Sequence, residues 1–314
     1  MATRVYPYKI DDDQQTIEAA VHWQPEAAGL GSERPIALLF HGGGFLVGTH
    51  SFIPQSQVSY LTSLGFVVVS ANYRLCPQVS GWDGPVTDAK EVYKWCQEVL
   101  PQVLEKDESI AVDAKRIVVG GYSCGGGMAG LLADEAKPPK AILDVYGMKH
   151  LSLPFYRNPN PGFAHFPSFP PEHINKVYNG PVPSSCPPQR DIPADLTTVS
   201  PRIAFSWTHY KNGTILEQIV PDGDLDRLDS FSLMKKLGTK YPPIAFIHGT
   251  GDLSIPYEAT EAAHEEVVKN GVDSELITVE GAPHFYDMML KVEDEGFEKF
   301  VKPSLDFLAK HVRK

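Results

Sequence analysis

Three uninterrupted apolar runs, IALLF at 36–40, FVVVS at 66–70 and RIVVG at 116–120, set the strongest limit on what this chain can become. A strand with one wet face alternates polar and apolar residues, whereas a strand covered on both faces has no need to. Runs this short and this β-branched alternate with stretches of helical spacing. They point to an α/β protein with a mostly parallel central sheet flanked by helices. Strands are expected over 16–23, 35–40, 66–71, 116–120, 141–146, 244–248 and 274–279. Helices are expected over 85–98, 124–135, 257–270 and 296–312. In the third helix Ala259, Ala262, Ala263, Val267 and Val268 form the expected packing stripe.

That alternation breaks between residues 148 and 240, a stretch holding 13 of the 27 prolines. Proline is excluded from helix interiors and central strands, so this segment cannot continue the sheet. It reads as a cap inserted into a core made of residues 1–147 and 241–314. Its aromatic residues Phe155, Tyr156, Phe163, Phe166, Phe169, Phe205, Trp207 and Tyr210 would either wall a ligand cleft or pack a small core of their own.

A chain of 314 residues buries enough surface to fold without a disulfide or structural metal. Cys76, Cys96, Cys124 and Cys186 stand far apart, with no CxxC pair and no zinc spacing, so free thiols and no metal are expected. A net charge of -11 disfavours a nucleic-acid or anionic-membrane partner. No apolar run approaches the ~18 residues of a bilayer span, and the opening MATRVYPYKIDDDQQ lacks a hydrophobic leader centre. The expected address is cytoplasmic, without an integral membrane segment.

The chemistry begins at Gly121-Tyr122-Ser123-Cys124-Gly125, which follows RIVVG directly and precedes a helix-compatible run. A serine on so tight a strand-to-helix turn is lifted clear of the sheet, and small neighbours at 121 and 125 prevent collisions there. The helix behind it aims its N–H groups and positive dipole end at the site. Ser123 is thus the candidate nucleophile. His41-Gly42-Gly43-Gly44 follows IALLF, and two amides of this loop together with the N–H of Cys124 would cradle an oxyanion. His41 is expected to fix that loop by hydrogen bonding. Tyr122 is expected to pack below the turn.

A serine hydroxyl needs a base, and the base needs a partner that sets its tautomer. Of the 11 histidines, His284 lies in GAPHF, between the expected last strand and last helix. Asp252 lies in HGTGD, just past the strand IAFIH, where the loops of an α/β sheet meet a cleft. The competing acids are Asp287, close to His284 in sequence, and Asp226 or Asp229 in the insertion. His248 reads as a strand-end histidine, and His165, His173 and His209 fall in the insertion with no assigned role.

HGGGF at 41–45, NYRLCP at 72–77, GYSCGG at 121–126, GTGD at 249–252 and GAPHF at 281–285 together resemble the α/β-hydrolase superfamily, in particular its hormone-sensitive-lipase-like serine esterases. The resemblance covers about residues 34–146 and 243–312. It implies an α/β-hydrolase fold with Ser123 as nucleophile, His284 as base and Asp252 as its partner, with Gly43, Gly44 and Cys124 as oxyanion donors and no cofactor. Two departures stand out: Tyr122 and Cys124 occupy the acidic and alanine positions of the commoner GDSAGG, and the cap comes mainly from the middle of the chain. The phrase SPRIAFSWTHYKNG resembles fungal α/β hydrolases, some of them of secondary metabolism. The expected function is cleavage of a small apolar or aromatic carboxylic ester through an acyl-enzyme. Cyclisation, condensation or acyl transfer on the same serine, and a catalytically silent ligand-binding protein, are the alternatives.

Overall fold

The computed structural model describes residues 1–11, 13–26, 33–189, 191–220, 238 and 240–313. Eight strands form one sheet: β1 (Ala2–Ile10), β2 (Thr16–Trp23), β3 (Arg34–Phe40), β4 (Val67–Ala71), β5 (Val112–Tyr122), β6 (Ile142–Val145), β7 (Ile244–Gly249) and β8 (Ser274–Val279). Their order across the sheet is β1-β2-β4-β3-β5-β6-β7-β8. The pairs β1–β2 and β2–β4 are antiparallel, and the remaining pairs are parallel.

The apolar runs occupy the middle of this sheet for the reason their composition implies. In β3 and β4, alternate side chains enter opposite faces. Leu38 and Val69 join one buried cluster, with Val92 of α2 (Thr87–Glu98) and Leu104 of α3 (Leu100–Glu108). Leu39 and Val68 join the other, with Val58 of α1 (Gln55–Ser63) and Leu305 of the last helix. Both faces are covered, so neither strand alternates.

β1 was not expected from the sequence. It is an edge strand whose residues are mostly exposed, and Pro7 sits at its register shift with β2. An edge with one unpaired side tolerates proline and polar residues, which erases the signal. The expected 116–120 strand begins earlier, at Val112, and the expected 296–312 helix is a wide turn over Phe297–Val301 running into a regular helix.

Further helices among the described residues include α4 (Cys124–Leu131), α5 (Pro201–Asn212), α6 (Ile215–Ile219), α7 (Tyr257–Lys269) and α8 (Lys302–Lys310). In α7 the stripe differs from expectation: Ala259, Ala263 and Val267 are buried, Val268 is exposed, and Thr260 is fully buried instead. A hydroxyl in that position requires a polar partner inside the molecule.

The chain runs from β3 outward to β4 and then crosses back to β5 on the other side of β3. At such a reversal the loops leaving adjacent strands diverge and open a crevice at the carboxyl ends. The loops after β3 and β5 carry Gly42–Gly44 and Ser123. Between β6 and β7, the described part of the proline-rich segment forms short helical turns together with α5 and α6, over those same strand ends. Asp226 and Asp229 lie outside the described residues. Among the described residues no helix is long and apolar enough to cross a membrane.

Candidate active site

Ser123 is the single residue between the end of β5 and the start of α4, with φ 56° and ψ -123°. A non-glycine residue stays in so sparse a region only when its surroundings hold it there. Here the Ser123 N–H donates to Val145 O at 3.0 Å, and its carbonyl accepts from Gly126 N and Met148 N, each at 3.0 Å. The turn also requires its glycines. A Cβ on Gly121 would lie 2.0 Å from Gly125 O, and one on Gly125 would lie 2.4 Å from Phe40 O.

Below the turn Tyr122 is buried, and its hydroxyl donates to Gln57 Oε1 at 2.7 Å. Gln57 Nε2 donates to Asp287 Oδ2 at 2.6 Å, and Tyr146 donates its hydroxyl to Asp287 Oδ1 at 2.6 Å. Asp287 is therefore committed to an interior network, although it stands only three residues from His284 in sequence. Burial pushes its carboxyl up, against the pull of Tyr146 and Gln57.

The structure brings Ser123, His284 and Asp252 together. His284 Nε2 lies 3.1 Å from Ser123 Oγ, and His284 Nδ1 lies 2.6 Å from Asp252 Oδ2. Asp252 follows β7, and its Oδ1 accepts the N–H groups of Ser254 at 2.7 Å and Ile255 at 3.0 Å. A second imidazole reaches the same carboxylate: His248 Nε2 is 2.9 Å from Oδ2. Burial alone would raise the Asp252 carboxyl. The hydrogen bonds from His248 and His284 outweigh that and hold it well below the usual carboxylate range. An ionised Asp252 keeps the proton of His284 on Nδ1, which leaves Nε2 free to accept from the serine hydroxyl. The Tyr146 ring lies 4.7 Å from the His284 ring and packs against it. Such an arrangement can take a proton from an attacking serine and return it to a leaving group.

The loop after β3 turns on Gly43 (φ 127°) and Gly44 (φ 57°), and both glycines border the same cavity as Ser123 and His284. Gly43 O accepts the hydroxyl of Tyr210, from α5, at 2.7 Å. It also accepts from Leu46 N and Val47 N, each at 3.1 Å. His41 is fully buried and stacks on Tyr73 at 4.1 Å, with its Nδ1 2.8 Å from Gly42 O. Burial lowers its imidazole to about 4, so it is neutral and donates to that carbonyl. Cys124 is fully buried, its Sγ 3.4 Å from Phe45 N, and burial raises its thiol.

Ser123 and His284 open onto a cavity of about 490 Å³. Phe155, Tyr156, Phe163, Phe166, Trp207 and Tyr210 line it, whereas Phe169 and Phe205 pack away from it. Phe166 stacks on Trp207 at 4.8 Å and Phe163 on Tyr210 at 5.1 Å, so the rings both wall the cavity and brace one another. His165 lines the cavity, His173 Nε2 contacts Val199 O at 3.0 Å, and His209 Nδ1 contacts Thr214 Oγ1 at 2.7 Å. Among the described residues no group of three or more His, Cys, Asp or Glu could hold a metal ion.

Sequence reasoning missed Thr260 and Tyr146, gave His248 only a strand-end reading, and gave Tyr210 a place in the cavity wall without its hydrogen bond to Gly43. For His248 a signal was present: it stands four residues before Asp252, at the other end of HGTGD.

Residues 37–163 match a family model described as alpha/beta hydrolase fold. The chain is 31% identical, over 99% of its length, to the non-reducing polyketide synthase prhL of Penicillium brasilianum, and spans 14% of that protein. It is 30% identical, over 95% of its length, to the non-reducing polyketide synthase adrD of Penicillium rubens, and spans 13% of it. Among solved structures, a protein of unknown function from Staphylococcus aureus superposes with a TM-score of 0.74 at 19% identity, covering 98% of this chain and 99% of that one. Thermogutta terrifontis esterase 2, phosphonylated by sarin, gives a TM-score of 0.63 at 19% identity, covering 98% and 94%.

Proposed function

The chain is a protein of the α/β-hydrolase fold, and we propose that it is a serine hydrolase cleaving carboxylic esters of small apolar or aromatic acids through an acyl-enzyme on Ser123. The observation that carries this reading is the hydrogen-bonded series from Ser123 Oγ through His284 to Asp252, opening onto an apolar cavity.

In the proposed reaction Ser123 Oγ attacks the carbonyl carbon as His284 Nε2 takes its proton. Asp252 stabilises the imidazolium without itself being protonated. The amides of Gly43, Gly44 and Cys124 hold the oxyanion, where one such donor is worth about 3 to 4 kcal/mol. The imidazolium then protonates the departing alcohol, and water enters by the reverse sequence. Residues 148–240 act as a cap over a core of residues 1–147 and 241–314, and the rings of its described part that line the cavity select the acyl group. No cofactor takes part in these steps.

A second reading, cyclisation, condensation or acyl transfer on the same serine, is favoured by the likeness to polyketide synthases. Product mass separates the two. A panel of acyl esters graded in length is assayed with mass detection of products. Hydrolysis adds the elements of water to the acyl fragment, and transfer or cyclisation does not. Ser123→Ala lowers turnover by about five orders of magnitude while the fold is retained. Undiminished turnover in that variant overturns the reading.

A further inference from the structure

Behind the proposed catalytic residues lies a buried polar series that the reaction above leaves unused. Lys149, just after β6, is fully buried and has three acceptors: Gly147 O at 2.6 Å, Thr260 Oγ1 at 2.9 Å and Asp144 Oδ1 at 3.0 Å. Thr260 Oγ1 lies 2.7 Å from His248 Nδ1, and His248 Nε2 lies 2.9 Å from Asp252 Oδ2.

The direction of each hydrogen bond follows from what each group can do. An ammonium has three N–H donors and accepts nothing, so Lys149 donates to all three of its neighbours, including the Thr260 oxygen. Thr260 then gives its own proton to His248 Nδ1, the acceptor within reach. With Nδ1 accepting, the proton of a neutral His248 resides on Nε2, facing Asp252. Burial favours that neutral form of His248, against the pull of Asp252.

We propose that His248 is a positioning residue: it supplies a second imidazole N–H to Asp252, and Thr260 together with Lys149 fixes the tautomer that allows it to do so. Asp252 thereby holds four N–H donors, from His248, His284, Ser254 and Ile255, and cannot rotate away from His284. The second imidazole also draws charge from Oδ2. The carboxylate therefore stabilises the imidazolium formed in the reaction less than a singly paired one would, and that imidazolium hands its Nε2 proton to the leaving group more readily.

The charged groups facing His248 are Asp252, Asp144 and Lys149, with the rings of Tyr146 and Tyr257 at 6.4 and 5.8 Å. Facing His284 are Asp252, Asp287 and the Tyr146 ring. Nothing in this set replaces the lost donor if His248 is removed.

The inference rests on the serine-hydrolase reading, and its test separates the two. The parameters kcat and KM are measured against pH for the wild type, His248→Leu and His248→Gln on one ester, with melting curves for each protein. In parallel, 15N spectra of histidine-labelled wild type report which ring nitrogen of His248 carries the proton. His248→Leu is expected to lower kcat about ten- to a hundredfold with KM within about twofold, since His248 does not line the cavity. Its acid limb moves up by about half to one pH unit. His248→Gln, whose amide N–H replaces Nε2–H, recovers most of kcat and returns the limb. The 15N spectrum shows Nε2 protonated and Nδ1 bare at pH 7.

Wild-type kcat and limb in His248→Leu overturn the proposal. So do equal losses in both variants with an unmoved limb, or a proton on Nδ1. If His248→Leu does not fold, the glutamine variant and the nitrogen shifts decide. Should the wild type cleave no ester and take up no fluorophosphonate, the hydrolase reading fails, and the tautomer result is read independently.

Discussion

Two regions meet at the Ser123 hydroxyl and are built on opposite principles. The floor, at the ends of β3, β5, β6, β7 and β8, is polar and joined by hydrogen bonds: Asp252, His248, Thr260 and Lys149 on one side, and Gln57, Asp287, Tyr146 and Tyr122 on the other. The roof, between β6 and β7, is a set of aromatic rings that touch one another and the cavity. Hydrogen bonds fix direction and protonation, whereas ring contacts fix only volume and apolar surface. On the proposed reading, the difference assigns reaction type to the floor and acyl preference to the roof.

The comparison breaks most visibly at Asp252. Asp252→Asn leaves His284 in the wrong tautomer and is expected to lower kcat by about 10⁴-fold on every ester alike. Steady-state assays across short and aromatic acyl groups check this, and a loss confined to one acyl class would move the floor's role to selectivity. The roof gives the opposite pattern. Phe163→Ala is expected to lower kcat/KM about tenfold for aromatic or long acyl groups and hardly at all for acetyl, because only the former cover the lost ring.

Tyr210 belongs to both regions, walling the cavity while holding Gly43 O. Tyr210→Phe keeps the wall and removes one of the donors on that carbonyl. Its expected effect is a three- to tenfold fall in kcat with KM unchanged, about what one neutral hydrogen bond is worth. A change in KM alone would assign Tyr210 to the roof.

The smallest effect concerns stability. Burial lowers the imidazoles of His41 in the floor and His209 in the roof to about 4 each. Between about 6.5 and 4 the unfolded chain binds protons that the folded one refuses, so stability falls as pH drops through that window. His209→Gln is expected to flatten that slope in urea melts at pH 7, 6 and 5, and an unchanged slope would contradict it.

How much of this was readable without coordinates follows the same division. β2 and β8 have the bounds that their residue patterns suggest, and Ser123, Asp252 and His284 stood out because each closes or follows an apolar run. The series behind Asp252 did not stand out. Lys149, Thr260 and His248 come from three separate elements, and each alone reads as an ordinary residue; only the sheet order places them side by side. Asp287 misled for the converse reason. Nearness to His284 in sequence suggested a partnership, but the turn sends its carboxylate inward to Gln57 and Tyr146. β1 was hidden because an exposed edge needs no apolar pattern.

The most direct measurement is intact-protein mass after exposure to a fluorophosphonate, followed by peptide mapping. One adduct is expected per chain, on Ser123, absent from Ser123→Ala and slowed in Asp252→Asn. An unmodified wild type, or an adduct on any other residue, would contradict the account.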